Sequence, residues 1–195
     1  MTSPDLLAAL DPVVSALEEL GVEYSVVGSV ASSAHGIARS TVDADVVADL
    51  SSAAVDGLVS RLERDYYVSR DAARDAVRRR SLFNAIHLAT MIKVDVYVLS
   101  DRPFDRSSFA RRTARMLPEE PGPRRYHIDT PDATVLHKLE WYRAGGEVSD
   151  RQWADVVGVL AVQGEALDRT YLDRWASDLG VADLLTRAWT ADEPR

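Results

Sequence analysis

The residues of this chain best suited to chemistry are two aspartates, Asp43 and Asp45, that follow closely on the pair Gly28-Ser29. Val26-Val27-Gly28-Ser29-Val30 reads as the end of a strand, a tight turn and the opening of a short helix. Arg39-Ser40-Thr41-Val42-Asp43-Ala44-Asp45-Val46-Val47 reads as a loop running into a second strand. Alternate residues of a strand project from the same face, so the two carboxylates stand about 6–7 Å apart along one side of a sheet. That spacing suits a hard divalent cation, Mg²⁺ or in its place Mn²⁺. A glycine-serine turn opening a helix offers backbone N–H groups, a hydroxyl and the positive end of a helix dipole, which together cradle phosphate. Cradle and carboxylate pair point to nucleotide chemistry.

A third carboxylate belongs with them. In Met91 to Leu99, Ile92, Val94, Val96 and Val98 alternate with Lys93, Asp95 and Tyr97, which places Asp95 on the polar face of another strand. Three convergent carboxylates would make a two-metal site. Such a site holds Mg²⁺ against the oxygens of a nucleoside triphosphate, neutralises charge in an in-line transition state and lets one carboxylate take the proton of an attacking hydroxyl. Asp95 is the candidate for that base, lying nearest the acceptor. Arg39 is placed to contact a phosphate or the base, and Thr41 to bond the loop backbone.

The other candidate positions lie further along. Lys93 and Lys138 are the two lysines among 23 basic residues. In a chain that otherwise uses arginine, an isolated lysine suggests a need for a compact ammonium. Lys138 has Thr134, Trp141 and Tyr142 as helical neighbours. Arg151 and Asp155 are spaced as an i,i+4 surface ion pair. His35, His87, His127 and His137 show no metal-ligand spacing and read as structural, with His35 ending the phosphate helix. Trp141, Trp153, Trp175 and Trp189 recur at spacings expected of core packing, with base stacking by any one of them as the alternative.

Composition narrows the classes. The absence of cysteine excludes disulfides, thiolate zinc and cysteine nucleophiles. No apolar run approaches the ~20 residues of a membrane span and no signal-peptide pattern opens the chain, so a cytoplasmic protein without membrane contact is expected. The net charge of −8 is unevenly spread. Arginines concentrate between 61 and 80 and between 102 and 125, stretches that could hold a phosphate-rich acceptor or serve as solvated helix faces.

Elements that would position these residues follow from periodicity. Helix is expected over Leu6–Leu20, Ser29–His35 with Gly36 as its cap, a segment from Ser51-Ser52 to about Asp65, and Asp71–Arg80. Strands are expected over Glu23–Val27, Val42–Leu50, Tyr66–Ser69, the hairpin Leu82–Ala89 and Met91–Leu99, and Arg124–Ile128, after a turn at Pro118–Pro123. From Pro131 the pattern is helical, with Thr130, Ser149 and Asp168 as starts and Gly145-Gly146, Gly164 and Gly180 as stops. The expected architecture is α/β (α+β): a mixed-sheet catalytic domain over residues 1–128 and a C-terminal helical bundle over 129–195.

These residues resemble a known family. Gly28-Ser29, His35-Gly36, Arg39, Thr41, Asp43 and Asp45 resemble the first motif of the nucleotidyltransferase-fold proteins related to the AbiEii toxins of bacterial abortive-infection and toxin-antitoxin systems, within the polymerase-β-like superfamily. Lys93-Val94-Asp95-Val96 is similar to the strand bearing the third carboxylate, Leu136-His137-Lys138-Leu139 to the helix with the family's lysine, and Arg151 through Asp155 to its final motif. Relatives often read Arg-Asp where this chain has Arg151-Gln152, and Gly-Gly where it has Gly28-Ser29. The resemblance implies a minimal nucleotidyltransferase that transfers an NMP group from an NTP with Mg²⁺. Gly28 and Ser29 would hold the triphosphate and Asp43, Asp45 and Asp95 the metals, while Lys138 steadies phosphate or base and is itself oriented by Asp155. Among acceptors, the arginine stretches favour RNA, a tRNA 3′ end in toxin relatives, with a cognate antitoxin as partner. Two alternatives are an aminoglycoside- or lincosamide-type antibiotic nucleotidyltransferase, and a non-catalytic nucleotide-binding or antitoxin-like protein.

Overall fold

The computed structural model describes residues 4–117 and 124–191; the Pro118–Pro123 turn lies outside them. In chain order the elements are α1 (Pro4–Glu19), β1 (Tyr24–Val27), α2 (Gly28–His35), β2 (Asp43–Ala48), α3 (Val55–Leu62), β3 (Tyr66–Val68), α4 (Arg70–Arg79), β4 (Leu82–His87) and β5 (Lys93–Val98). There follow α5 (Pro103–Arg111), β6 (Thr113–Arg115), β7 (Tyr126–Ile128), α6 (Pro131–Ala144), α7 (Asp150–Gln163), α8 (Arg169–Asp178) and α9 (Ala182–Ala191). The strands form one sheet in the order β3-β4-β5-β2-β1-β7-β6. The β2–β5 and β1–β7 pairs are parallel and the other neighbours antiparallel.

Alternation divides the sheet into two faces. Ala44, Val46 and Ala48 of β2 and Val94, Val96 and Val98 of β5 are buried together against Leu6, Leu10, Val13 and Leu17 of α1 and Leu58 and Leu62 of α3. Each large apolar side chain so buried contributes about 1.5–3 kcal/mol, which fixes the register, because a one-residue slip would turn the whole set outward. Asp43 and Asp45 consequently face the other way, toward α2, α6 and α7. A second cluster joins Val135, Leu136 and Leu139 of α6 to Val156 and Leu160 of α7, Leu172 and Trp175 of α8 and Leu184 and Leu185 of α9, with Phe104 of α5 packed into it.

The helices after residue 130 begin as the caps dictate. Thr130, Ser149 and Asp168 accept the backbone N–H of Ala133, Gln152 and Tyr171 through their side chains. Two elements had no signal in the sequence: α5, which buries only Phe104, Ser108 and Phe109, and β6, an edge strand exposed along its length. No described helix is long and apolar enough to cross a membrane.

Candidate active site

The turn between β1 and α2 is built around contact with the carboxylate strand. Gly28 takes φ +62°, and a Cβ there would lie 2.1 Å from Asp45 Oδ2. Residue 28 must therefore lack a side chain both for its backbone conformation and for the carboxylate beside it. No side chain caps α2, so the N–H groups of its first turn are left for another acceptor.

Strand register brings the acids together. Asp45 pairs with Val27 of β1 on one side and with Asp95 of β5 on the other. Residues in register on neighbouring strands share a face at a strand spacing of about 4.8 Å. Burial first, then the charges of Asp43 and Asp95, push the Asp45 carboxyl up to about 6. Thr41 Oγ1 lies 2.8 Å from Asp43 Oδ1 and donates to it, fixing that carboxylate rather than the loop backbone alone. Asp95 is buried and already engaged: Lys93 Nζ stands 2.5 Å from its Oδ2, and the Asn84 amide donates to Oδ1. The expected convergence of three carboxylates is thus partial. Among the described residues no three His, Cys, Asp or Glu side chains close on a common point as a metal cluster. The donor set still fits a hard cation, since its oxygens are carboxylate oxygens whose charges oppose one another at Asp45, and they already hold one positive charge, the Lys93 ammonium, whose pKa is raised by its bond to Asp95 and by the fields of Asp95, Asp43 and Asp45.

Arg39 and Lys138 meet at Asp155. Arg39 donates from Nε and Nη2 to the two Asp155 oxygens at 2.7 and 2.8 Å, and Nη2 also reaches Ser29 Oγ at 2.7 Å. Lys138 Nζ lies 2.8 Å from Asp155 Oδ2, and Lys138 and Asp155 are each 8% exposed. Burial pushes the Asp155 carboxyl up, but the hydrogen bonds from Arg39 and Lys138 outweigh it and hold it below the usual carboxylate range. Asp155 bonds Lys138, as the resemblance implied; the alternative, an i,i+4 surface pair with Arg151, does not form, because both Asp155 oxygens are taken by Arg39 and Lys138. Arg39 is correspondingly drawn into a fixed fork that ties Ser29 to α7.

The turn, the three carboxylates, Arg39 and Lys138 line one cleft of about 950 Å³ between the sheet and α6 and α7. Sequence reasoning missed part of its wall. Trp141, expected in the core with the other tryptophans, is 52% exposed and meets Tyr97 edge to face at 6.2 Å between ring centroids. Tyr97 lies on the Asp95 face of β5, as alternation required, and its phenol is pushed up by burial and by Asp45, Asp95 and Asp43. Trp175 alone of the four tryptophans is fully packed into the core. Two histidines are held by one buried aspartate: His137 Nδ1 lies 2.9 Å from Asp129 Oδ2, and His35 Nε2 lies 2.6 Å from the Asp129 carbonyl oxygen. Ser25 donates to the other carboxylate oxygen. His137 and Asp129 also line the cleft.

The arginine-rich stretches are largely neutralised within the chain. Arg70 and Arg74 pair with Asp56, Arg78 and Arg79 with Asp75, and Arg80 with Asp101. Arg102 pairs with Glu140, Arg106 with Asp49 and Asp101, Arg111 with Asp168, Arg112 with Glu23, and Arg124 with Glu18.

No family model and no curated protein sequence matches the chain. Solved structures do. The solution structure of the antibiotic-resistance factor ANT(2″)-Ia matches with a TM-score of 0.57 at 12% identity, covering 96% of this chain and 97% of that one. The crystal structure of ANT(2″)-Ia in complex with adenylyl-2″-tobramycin gives 0.57 at 12% identity over 88% and 97%. An antigenic nucleotidyltransferase-like protein from Paracoccidioides brasiliensis gives 0.59 at 15% identity over 99% and 96%. At these identities the likeness speaks for architecture, and the architecture is the nucleotidyltransferase fold.

Proposed function

We propose that this protein is a Mg²⁺-dependent nucleotidyltransferase that moves an NMP group from an NTP to a hydroxyl of a small molecule. The observation that carries the reading is Asp45: it stands in register with Asp95 and directly against Gly28, so donor cradle and carboxylates share one corner of the cleft. Asp43 and Asp45 would hold the metal, which when bound would supply Lewis-acid neutralisation of the triphosphate. The α2 N-terminus and Ser29 bind the phosphates, and the Arg39–Asp155–Lys138 bridge keeps Ser29 and the Lys138 ammonium in place. Asp95, bonded to Lys93 in the folded chain, is the carboxylate that would accept the proton of the hydroxyl attacking the α-phosphorus, as the bond to the β-phosphate breaks and pyrophosphate leaves on Ser29 and the α2 N-terminus. Residues 1–128 act as the catalytic part and 129–195 as the helical part that walls the cleft.

Two observations favour a small acceptor over RNA. A cleft of about 950 Å³ is of the size that holds a nucleotide with a drug-sized partner. Most arginines of the two basic stretches are paired with carboxylates of the chain, which lowers the net positive field that would draw an RNA acceptor to them. The antibiotic-bound relative ANT(2″)-Ia lends the class of acceptor. The toxin reading rests on the motif resemblance.

The test is incubation with each α-labelled NTP and Mg²⁺ beside a panel of aminoglycosides and lincosamides, and separately beside total RNA, with Asp45→Ala as control. Label on a drug hydroxyl, absent with the variant, is the expected result. Label in tRNA would move the acceptor to RNA, and no Asp45-dependent labelling of any acceptor would overturn nucleotidyl transfer.

A further inference from the structure

Strands β2 and β5 are parallel neighbours, and their register puts four charged side chains on one face. Asp43 stands opposite Lys93, and Asp45 opposite Asp95. Lys93 therefore has three carboxylates to choose from. Its ammonium leans along its own strand to Asp95 Oδ2, at 2.5 Å, rather than across the sheet to Asp43.

That choice makes the three acids unlike one another. Asp95 accepts an N–H donor on each oxygen, from Lys93 and from Asn84, its register partner on β4. Asp43 accepts the Thr41 hydroxyl. The Asp45 carboxylate accepts no side-chain hydrogen bond from the described residues, and the charges of Asp43 and Asp95 oppose its own. A carboxylate without a partner, beside a second one, is where a divalent cation gains most. At Asp95 the same ion would meet a resident positive charge. Two cations on one carboxylate stand about 4 Å apart, where a divalent ion and an ammonium repel with twice the strength of a unit pair. Lys93 is covalently tethered two residues from Asp95, so it cannot be diluted away as a dissolved ion can.

We propose that Lys93 is the second cation of this site: by holding Asp95 it limits the carboxylates to one divalent ion, on Asp43 and Asp45, where three convergent acids would take two. The inference rests on the metal-dependent reading given above. With the Lys93 charge included, one divalent ion brings the four side chains to neutrality, and a second would leave them strongly positive. Asp95 is thereby kept for the proton. A carboxylate has roughly four lone-pair sites, of which Lys93 and Asn84 use two, so Asp95 can still accept a hydroxyl from the cleft that it lines.

The experiment counts the Mn²⁺ ions bound by the full chain, from the EPR signal of the free ion, without nucleotide or turnover. The wild type should bind one ion, and Asp45→Asn should lose it. Asp95→Asn, with Lys93 intact, should still bind one. Lys93→Met removes the ammonium, and its thioether is a poor ligand for a hard cation. The Lys93 side chain is 43% exposed, so the variant should fold, which far-UV circular dichroism checks. Lys93→Met should bind two ions, the tighter one roughly tenfold or more tighter than in the wild type because a neighbouring positive charge is gone. Lys93→Met/Asp95→Asn should return to one, and Lys93→Arg, which keeps the charge, should stay at one. Two ions in the wild type, loss of the ion in Asp95→Asn, or a single ion in folded Lys93→Met would overturn this inference alone. Wild-type protein with no ion that Asp45→Asn removes would overturn the metal-dependent reading with it.

Discussion

Gly28 and Asp45 occupy one space: the Asp45 carboxylate stands where a side chain on residue 28 would have to go, its Oδ2 only 2.1 Å from the ideal Cβ position. The donor turn and the carboxylate strand are therefore a single structural unit. Gly28→Ala would place a Cβ in a left-handed conformation costing about 1–2 kcal/mol and push the carboxylate away. Nucleotidyl transfer should fall by about a hundredfold or more for a displaced catalytic group, while the fold survives. The double variant Gly28→Ala/Asp45→Ala should be more stable than the sum of the single effects predicts, by about 1 kcal/mol in urea titration, because the overlap is gone. Strict additivity would show that the two residues do not compete for the space.

The raised Asp45 carboxyl makes a prediction about cation binding that needs no turnover. Burial first, and then the charges of Asp43 and Asp95, oppose ionisation of Asp45 in the folded protein, so a divalent cation that binds there should stabilise it. Mg²⁺ at a hundred times its dissociation constant should add about 2.7 kcal/mol, seen as a rise in Tm that grows with concentration and is reversed by EDTA. Asp45→Asn should abolish the rise. A Tm indifferent to Mg²⁺ in the wild type would remove the metal from these carboxylates.

Asp155 predicts a particular acid response. Its folded carboxyl titrates below the ordinary value of 3.8, so the stability it adds is complete above that value and fades as pH falls through the folded one. Asp155→Asn leaves the buried Lys138 and the half-buried Arg39 without their shared partner, and should lose about 3 kcal/mol near neutrality. The gap between wild type and variant should stay constant from about pH 5 to pH 8 and narrow below about pH 4. A gap that instead widened in acid would contradict the bridge. Because Arg39 also holds Ser29, the variant should weaken tripolyphosphate binding as well.

The parts of this site that repeat with period two were legible in the residues. Asp43, Asp45 and Asp95 alternate against buried valines and alanines, and apolar burial forces that pattern to choose a face. Asp155 was legible as a candidate and, through the resemblance, as the partner of Lys138, but its bond to Arg39 was not, since Arg39 lies 116 residues away in sequence and only folding brings the segment after α2 against α7. Trp141 was misjudged because a tryptophan at helical spacing looks the same whether its stripe faces a core or a cleft. α5 and β6 escaped notice for a related reason: a helix with few buried positions and an exposed edge strand gain their stability from neighbours, leaving no hydrophobic period of their own.

Gly36 was expected as a helix cap, and it does end α2, but not in the left-handed conformation that usually selects glycine: its φ is −127°. The requirement comes from α7. A Cβ on Gly36 would lie 2.8 Å from the Val159 backbone nitrogen and 2.9 Å from the Gly158 carbonyl carbon, atoms that cannot swing aside. Gly158 is the useful contrast, since a Cβ there meets nothing nearer than Ile37, its side chain at 3.4 Å and its backbone nitrogen at 3.5 Å, ordinary van der Waals distances. Gly36→Ala should therefore lose about 1–3 kcal/mol through overpacking, whereas Gly158→Ala, in a helix interior, should be neutral or gain up to about 1 kcal/mol. Wedging α2 from α7 also stretches the Arg39 fork to Asp155, so Gly36→Ala should raise the dissociation constant for tripolyphosphate and Gly158→Ala should not. Paired urea midpoints and binding isotherms decide it: equal behaviour of the two alanines would mean that the turn does not depend on the helical half for its position.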